Sequence, residues 1–271
     1  MIVADAEQRK AIARLNVLLH FRVAYARHFG RLEHSACRYR VMNQAEDSPT
    51  RVVFLFDVDN TLLDNDRVAA DLQRHLASAI GADGAQEYWG IFEQLRSELG
   101  YADYLGALQR YRAKHPRAPH LLSVSDFLIN YPFAERLFPD ALQVIERVQQ
   151  WGPAVILSDG DVVFQPLKIS RSGLGDAVCG RVLIYVHKEQ ELDGVEQRYP
   201  AEHYVLVDDK LRILAAVKKF WRSRVTTVFV RQGHYAADAK ILASYPPADI
   251  NIGRIGDLMK YQLVELLKPK P

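Results

Sequence analysis

Short apolar runs alternate with amphipathic segments along much of the chain, and this pattern predicts an α/β fold. Five runs are short and apolar throughout, as expected for strands covered on both faces of a sheet. They comprise residues 52–56, 154–157, 182–186, 204–207 and 226–230. Segments with helical spacing, at residues 140–151, 161–172 and 211–221, separate most of these runs. Because alternation of strands and helices is typical of right-handed crossovers, we expect a parallel sheet.

A block without any strand pattern follows the first run, between residues 64 and 135. Its helices are predicted at residues 66–80, 85–99, 101–114 and 124–131, and Gly81 favours the end of the first. Aromatic residues recur in this block, and we interpret them as packing residues rather than as a ligand cage. They are Tyr88, Trp89, Phe92, Tyr101, Tyr104 and Tyr111. We therefore predict a helical domain at 64–135, inserted into an α/β core of residues 51–63 and 136–271.

The first 50 residues differ from the rest and are predicted to form a helical or disordered extension. Residues 4–29 have one apolar stripe at helical spacing, and a linker-like stretch at 43–50 separates them from the first strand. Met42 lies just before that linker. Three interpretations of this segment stay open: a docking helix, a disordered arm, or upstream sequence that precedes a native start at Met42.

Composition is ordinary for a soluble globular protein, with 49% apolar and 25% charged residues. A net charge of +2 gives no reason to expect nucleic acid or a membrane as a partner. No apolar stretch approaches the ~20 residues that span a bilayer. Two cysteines, Cys37 and Cys179, do not suggest a disulfide framework, so a cytoplasmic location is expected. The oligomeric state stays open.

The most informative segment is the end of the first apolar run, where Asp57 and Asp59 are followed by Asn60 and Thr61. Parallel sheets place their ligand-binding residues at the carboxyl ends of strands. Two carboxylates and a hydroxyl there can supply a nucleophile, a general acid/base and part of a metal site. The alternative is an Asp/Asn-rich turn that solvates ordinary carboxylates. Against it, like charges crowded beside a buried strand need a cation or a proton.

Three later strand ends carry compatible chemistry. Ser158 ends one run before a glycine turn and a helix start, where backbone amides bind oxyanions, although a serine there is more often a helix cap. Lys188 lies just past the next run, and its competitor Lys168 would fall inside a helix. Asp208 and Asp209 end the fourth run and suggest a hard cation, or alternatively a helix N-cap.

In this order the four signals resemble the motifs of the haloacid dehalogenase superfamily. The first has Asn60 where glycine is more frequent, and Glu189 stands where a proline often follows the motif lysine. A longer acidic form of the fourth motif is absent, because Ile213 occupies its last position. The resemblance covers residues 52 to about 230 and implies a Rossmann-like parallel sheet. It also implies that residues 64–135 form a helical cap of the C1 type.

The resemblance further implies a Mg²⁺-dependent phosphomonoester hydrolase acting on a small phosphorylated metabolite through an aspartyl-phosphate. Catalytic roles would fall to Asp57 as nucleophile, Asp59 as acid/base, Ser158 and Lys188. Phosphate would be bound by Thr61, Ser158, Asp159 and Lys188, and Mg²⁺ by Asp57, Asp59 (through its backbone carbonyl), Asp208 and Asp209. Dehalogenases of the superfamily lack an acid at the position of Asp59. The alternatives are a phosphomutase of the same fold and a non-catalytic binding or regulatory protein.

Overall fold

A computed structural model describes residues 50–118 and 120–268, and six parallel strands form one sheet within them. The order across the sheet is β3-β2-β1-β4-β5-β6. The strands are β1 (Thr50–Phe56), β2 (Ala154–Asp159), β3 (Val182–Tyr185), β4 (Ala201–Asp208), β5 (Val225–Val230) and β6 (Ile250–Ile252). The predicted parallel sheet and its five strands are confirmed. The sixth strand has only three residues, too few for an apolar run to show in the sequence.

The first strand lies in the middle of the sheet, between β2 and β4. Its residue Phe54 pairs with Ala154 on one side and with Val205 on the other. Successive side chains of β1 point to opposite faces, and Phe54 and Leu55 belong to different apolar clusters. Both are fully buried. A strand covered on both faces needs apolar residues at every position, which explains why the run is continuous.

Eleven α-helices lie within the described residues, four of them between β1 and β2. The first three of these four form the helical insertion: α1 (Asn65–Leu99), α2 (Tyr104–Lys114) and α3 (Leu121–Asn130). The others are α4 (Ala141–Val148), α5 (Phe164–Arg171), α6 (Leu174–Ala177), α7 (Leu192–Arg198), α8 (Leu211–Trp221), α9 (Gly233–Ala237), α10 (Ala239–Ser244) and α11 (Leu263–Leu266). Short 3₁₀ turns occupy Phe133–Arg136, Lys188–Gln190, Arg222–Arg224 and Ile255–Lys260.

The long helix α1 combines two helices that the sequence predicts separately. Gly81 interrupts it with φ 79° and ψ 168°, a conformation that residues with a Cβ rarely adopt. The predicted break is therefore present, although the chain resumes the helix at once. Gly100 ends α1 in the left-handed region, with φ 82°.

The two connections of the helical insertion run side by side. The amide of Asp64 donates to the carbonyl of Arg136 at 2.8 Å, and the amide of Phe138 donates to the carbonyl of Leu62 at 2.9 Å. Chain entry and exit are thus joined by backbone hydrogen bonds next to the end of β1. The limits of the inserted domain at 64 and 135 stay a prediction. The predicted extension at residues 1–50 lies outside the described residues, except for Thr50.

Across residues 50–118 and 120–268, every helix lacks the length or the apolar character that crossing a lipid bilayer requires.

Candidate active site

The carboxyl ends of β1, β2 and β4 meet at one edge of the sheet. Asp57 directly follows β1, Ser158 lies near the end of β2, and Asp208 ends β4. The amide of Asp57 donates to the carbonyl of Val207 at 3.0 Å, which ties the end of β1 to β4. Parallel pairing in this register explains why residues about 100 and 150 positions apart form one site.

Lys188 lies at the centre of this site. Its Nζ is 2.5 Å from Oδ1 of Asp57 and 2.7 Å from Oδ2 of Asp208, and it donates to the carbonyl of Leu157 at 3.2 Å. The side chain is fully buried. Burial alone would lower the pKa of Lys188, but the Asp208 and Asp57 carboxylates raise it above its usual range. The ammonium is therefore charged at any physiological pH.

Asp57, Asp208 and Asp209 form a buried carboxylate cluster. Each offers one oxygen, and these oxygens lie within 4.8 Å of one another. Within the described part of the chain, Oδ2 of Asp57 and both oxygens of Asp209 are buried without a hydrogen-bond partner. Burial raises the pKa of Asp208 to about 6, and it raises the pKa of Asp209 well above its usual range. Buried carboxylate oxygens without donors fit a hard divalent cation, which takes oxygen ligands.

Asp59 is bound to a different lysine. Its Oδ1 is 2.6 Å from Nζ of Lys168, which also donates to Oδ1 of Asn65 at 2.9 Å. The Asp59 side chain is 24% exposed, whereas Asp57 is almost wholly buried. The carboxylate of Asp59 is therefore engaged outside the cluster, and its predicted backbone contact with a metal stays a prediction.

Lys168 is a site residue that the sequence reasoning set aside. It lies inside α5, as expected, yet its buried side chain reaches the end of β1. The order of elements along the chain could have indicated it. Because α5 directly follows the end of β2, which forms part of the site, one face of α5 has to turn towards the site.

Asn60 replaces the more frequent glycine without losing the turn. Its φ is +61°, a left-handed conformation that asparagine tolerates better than most residues. Its Oδ1 accepts hydrogen bonds from the amides of Asn65 and Asp66 at 3.0 and 3.1 Å. These are first-turn amides of α1, which have no acceptor within the helix. Asn60 thus both forms the turn and caps the N-terminus of α1.

The predicted phosphate-binding residues lie around the cluster. Oγ of Ser158 is buried and accepts from Gln165 Nε2 at 2.9 Å, and Oδ1 of Asp159 accepts from the amide of Lys188 at 2.8 Å. The Thr61 hydroxyl is buried and has no partner among the described residues. Their roles stay predictions.

The first amides of α5 are bound within the chain. Those of Val163 and Phe164 donate to Oδ1 of Asp161 at 2.7 and 2.6 Å. The contact of an oxyanion with Ser158 and the amides that follow it stays a prediction.

A cavity of about 630 Å³ lies beside Asp59, between the helical insertion and the sheet edge. Lys210 lines it and was missed in the sequence, although it directly follows the Asp208–Asp209 pair. Burial alone would lower the pKa of Lys210, but the carboxylates of Asp57, Asp209 and Asp208 raise it. A second, partly exposed ammonium therefore accompanies the cluster.

Four of the six aromatic residues assigned to packing also line this cavity. They are Trp89, Phe92, Tyr101 and Tyr104, whereas Tyr88 and Tyr111 do not line it. These four residues therefore pack within the insertion and also border the cavity. Phe92 and Tyr104 are buried residues of the main apolar cluster and at the same time wall residues of the cavity.

Comparison with known proteins gives a consistent result. The profile of haloacid dehalogenase-like hydrolases matches residues 52–237. A solved structure described as a haloacid dehalogenase-like hydrolase from Burkholderia xenovorans LB400 is 62% identical, with a TM-score of 0.77. The match covers 80% of this chain and 99% of that one. The comparison with curated proteins gives no match.

More distant structures share the fold. The L-2-haloacid dehalogenase of Xanthobacter autotrophicus is 18% identical with a TM-score of 0.51, over 78% of this chain and 97% of that one. A hydrolase of the same group from Bacillus subtilis, solved with bound magnesium, is 20% identical with a TM-score of 0.51. It covers 79% of this chain and 98% of its own. At these identities the likeness concerns the fold alone.

Proposed function

This chain belongs to the haloacid dehalogenase-like hydrolases, and we propose that it hydrolyses phosphate monoesters with Asp57 as the nucleophile. The observation that carries the proposal is the position of the Asp59 carboxylate. Its carboxylate lines the cavity next to Asp57, is partly exposed, and is held by Lys168. A second carboxylate in that position suits transfer of a proton to and from a leaving oxygen.

The first chemical step would form an aspartyl-phosphate. A carboxylate oxygen of Asp57 attacks phosphorus, the bond to the ester oxygen breaks, and Asp59 gives its proton to that oxygen. Lys188 would offset the repulsion between the Asp57 carboxylate and the phosphate dianion. Its contacts with Asp57 and Asp208 support that role.

The second step would return the enzyme to its starting state. Asp59 takes a proton from a water molecule, the resulting oxygen attacks phosphorus, and the bond to Asp57 breaks with release of inorganic phosphate. The Asp59 side chain borders the cavity, so water can reach it. Lys168 would keep the carboxylate oriented in both steps.

The buried cluster would hold a divalent cation, for which we propose Mg²⁺. Asp57 and Asp209 supply buried oxygens without hydrogen-bond donors, and Asp208 adds a third carboxylate to the cluster, in keeping with the oxygen ligands that this metal takes. When bound, the cation would neutralise charge on the phosphate oxygens. Asp59 would contribute through its backbone carbonyl, as the resemblance implies.

Dehalogenation is the competing reaction within the same fold. A halide leaves without a proton, so a dehalogenase has no use for a second carboxylate beside the nucleophile. Asp59 therefore favours an oxygen leaving group. A phosphomutase would use the same residues but return the phosphoryl group to a second hydroxyl.

The direct test measures phosphate release from p-nitrophenyl phosphate and from a panel of alkyl, sugar and nucleoside monophosphates, with Mg²⁺ or EDTA. Asp57→Asn should abolish release, and Asp126→Asn, which changes an exposed aspartate of α3, should not. Halide release from 2-chloropropionate and isomerised sugar phosphate are measured in parallel. Halide release without phosphate release, or activity of Asp57→Asn near that of the wild type, would contradict the proposal.

A further inference from the structure

We infer that the leaving group of the substrate is an uncharged alcohol that carries an aromatic or similarly flat apolar ring. This inference rests on the proposed phosphatase function and names the part of the substrate that phosphoryl transfer itself does not define. Its basis is a continuous aromatic wall, defined as Trp89, Phe92, Tyr104 and Phe164, on one side of the cavity.

The wall is a connected stack of rings. Trp89 meets Phe92 edge-on at 5.1 Å between ring centroids, Phe92 stacks on Tyr104 at 4.7 Å, and Tyr104 contacts Phe164 at 5.4 Å. Three of these residues belong to the helical insertion and Phe164 to the helix after β2. The wall therefore combines residues of the helical insertion with a residue of the α/β core.

The aromatic wall begins next to the proposed acid/base. Nζ of Lys168 lies 5.6 Å from the centroid of the Phe164 ring and 2.6 Å from Oδ1 of Asp59. An alcohol that receives its proton from Asp59 would therefore extend along Phe164 towards Tyr104 and Phe92. Rings stack favourably against such a wall, through burial of apolar area and through aromatic contacts.

Cavity size and polarity agree with this assignment. Its volume of about 630 Å³ falls in the range of sites for drug-sized ligands, about 300–1,000 Å³, and exceeds what a phosphoryl group needs. Ring carbons offer no hydrogen bonds, so a polyhydroxylated leaving group would lose its hydrogen bonds to water along the wall. The wall thus favours a ring over a sugar.

Charge pairing excludes a second anionic group on the leaving alcohol. Among the described lining residues, Arg96 is bound to Glu93 and to the hydroxyl of Tyr235, and Arg212 is bound to Glu189. Lys168 is held by Asp59. Lys210 lies at the carboxylate cluster, where the transferred phosphate would bind. These four cations and His234, whose Nδ1 contacts Asp66, leave no unpaired positive charge at the far end of the cavity. The lining carboxylates Asp66 and Glu93 are paired in the same contacts, so the cavity favours a leaving group without charge of either sign.

The test compares phosphates of four primary alcohols: 3-phenylpropyl phosphate, propyl phosphate, glycerol 1-phosphate and 3-phosphoglycerate. The leaving oxygens of the phenylpropyl and propyl esters have similar basicity, so this pair isolates the effect of the ring. With Mg²⁺, kcat/KM for the phenylpropyl ester should exceed each of the others by about 10–100-fold, as expected for burial of one phenyl ring. Equal values for phenylpropyl and propyl esters, or a preference for the hydroxylated or charged esters, would overturn the inference.

Two variants that remove a ring but keep apolar character, Trp89→Leu and Phe92→Leu, should reduce the phenylpropyl-to-propyl ratio to below about 3-fold. The control Phe127→Leu removes a ring of the helical insertion that stacks on His75 and does not line the cavity. Its ratio should equal that of the wild type. Because each ratio comes from one preparation, partial unfolding of a variant does not change it.

A binding measurement separates failure of this inference from failure of the proposed function. Calorimetric titration with 3-phenylpropylphosphonate and propylphosphonate, which resist hydrolysis, should show at least 10-fold tighter binding of the first. Phosphate release from all esters with equal binding of both phosphonates refutes the ring preference alone. A ring preference in binding without phosphate release from any ester refutes the phosphatase function and keeps the aromatic subsite.

Discussion

Replacing Lys188 by methionine should strongly destabilise the fold, and this change tests the central electrostatic interaction of the site. Methionine keeps most of the length of the side chain and removes only the ammonium group. That group contacts Asp57 at 2.5 Å and Asp208 at 2.7 Å and is shielded from solvent. Its removal leaves two carboxylates buried without their counter-charge.

The expected loss follows from the burial. Breaking a buried ion pair by removal of one partner reduces the free energy of unfolding by about 3–5 kcal/mol. Adding Asp208→Asn removes one of the unpaired charges and should restore about 1–3 kcal/mol of that loss. An exposed pair is worth about 0–1 kcal/mol, so the control Lys114→Met, whose side chain is 60% exposed, should stay close to the wild type.

The loss should also depend on pH with a defined sign. Burial has already raised the pKa of Asp208 to about 6, above its value of about 3.9 in the unfolded chain. Without the ammonium, that folded-state pKa rises further. A raised carboxyl pKa contributes stability that is present below the unfolded pKa and is lost as pH rises through the folded pKa. The difference between Lys188→Met and wild type should therefore widen as pH rises above about 6, where the wild type has lost the Asp208 proton and the variant still holds it.

Guanidinium unfolding followed by circular dichroism, in EDTA, measures these differences. A loss below about 1.5 kcal/mol at about pH 7.5, or a loss equal to that of Lys114→Met, would show that the ammonium is solvated. A gap that narrows as pH rises would show that removal of the ammonium lowers, rather than raises, the folded-state pKa of the remaining carboxylates.

Four further expectations follow. Asp59→Asn should lower kcat by about 10²–10⁴-fold with an unchanged circular dichroism spectrum, because it removes acid/base assistance alone. Asn60→Ala should lower the free energy of unfolding by about 2–3 kcal/mol through two lost hydrogen bonds and left-handed strain, and Asn60→Gly by about half as much, as measured by denaturant unfolding. Binding of Mg²⁺ should release protons at about pH 6, where Asp208 is partly protonated, and few at about pH 8; calorimetry in buffers of different ionisation enthalpy measures the number. Beryllium fluoride with Mg²⁺ should protect the connecting segments 63–66 and 131–139 from hydrogen exchange as the insertion closes, and unchanged exchange there would mean a permanently open site.

The sheet and the strand-end residues could be predicted because their signals are local. A continuous apolar run reports burial on both faces, and a polar residue at its end must lie at the sheet edge. Asp57, Ser158, Lys188 and Asp208 were all found in this way. The pairing of strands then brings them together, so no knowledge of side-chain contacts was needed.

Residues that reach the site from helices could not be found in this way. Lys168 lies within α5, and helical spacing does not show which face turns towards the sheet edge. Phe92 and Phe164 are apolar, buried and at ordinary helical positions, so burial alone accounts for them in the sequence. Their second role, as residues that line the cavity, depends on two elements that are distant in the chain and enclose the cavity together.

The arrangement of lysines explains how the fold holds so many carboxylates at one edge. Five aspartates lie in or beside the site, at 57, 59, 159, 208 and 209, and three lysines accompany them, at 168, 188 and 210. If all are ionised, two negative charges remain, and burial of such an excess is unfavourable. The raised pKa values of Asp208 and Asp209 favour their protonated forms, which reduces this excess negative charge. A bound divalent cation would neutralise the excess while both carboxylates stay ionised. The lysines are also divided: Lys188 binds the nucleophile and Lys168 the acid/base, so either carboxylate can change its charge while the other keeps its partner.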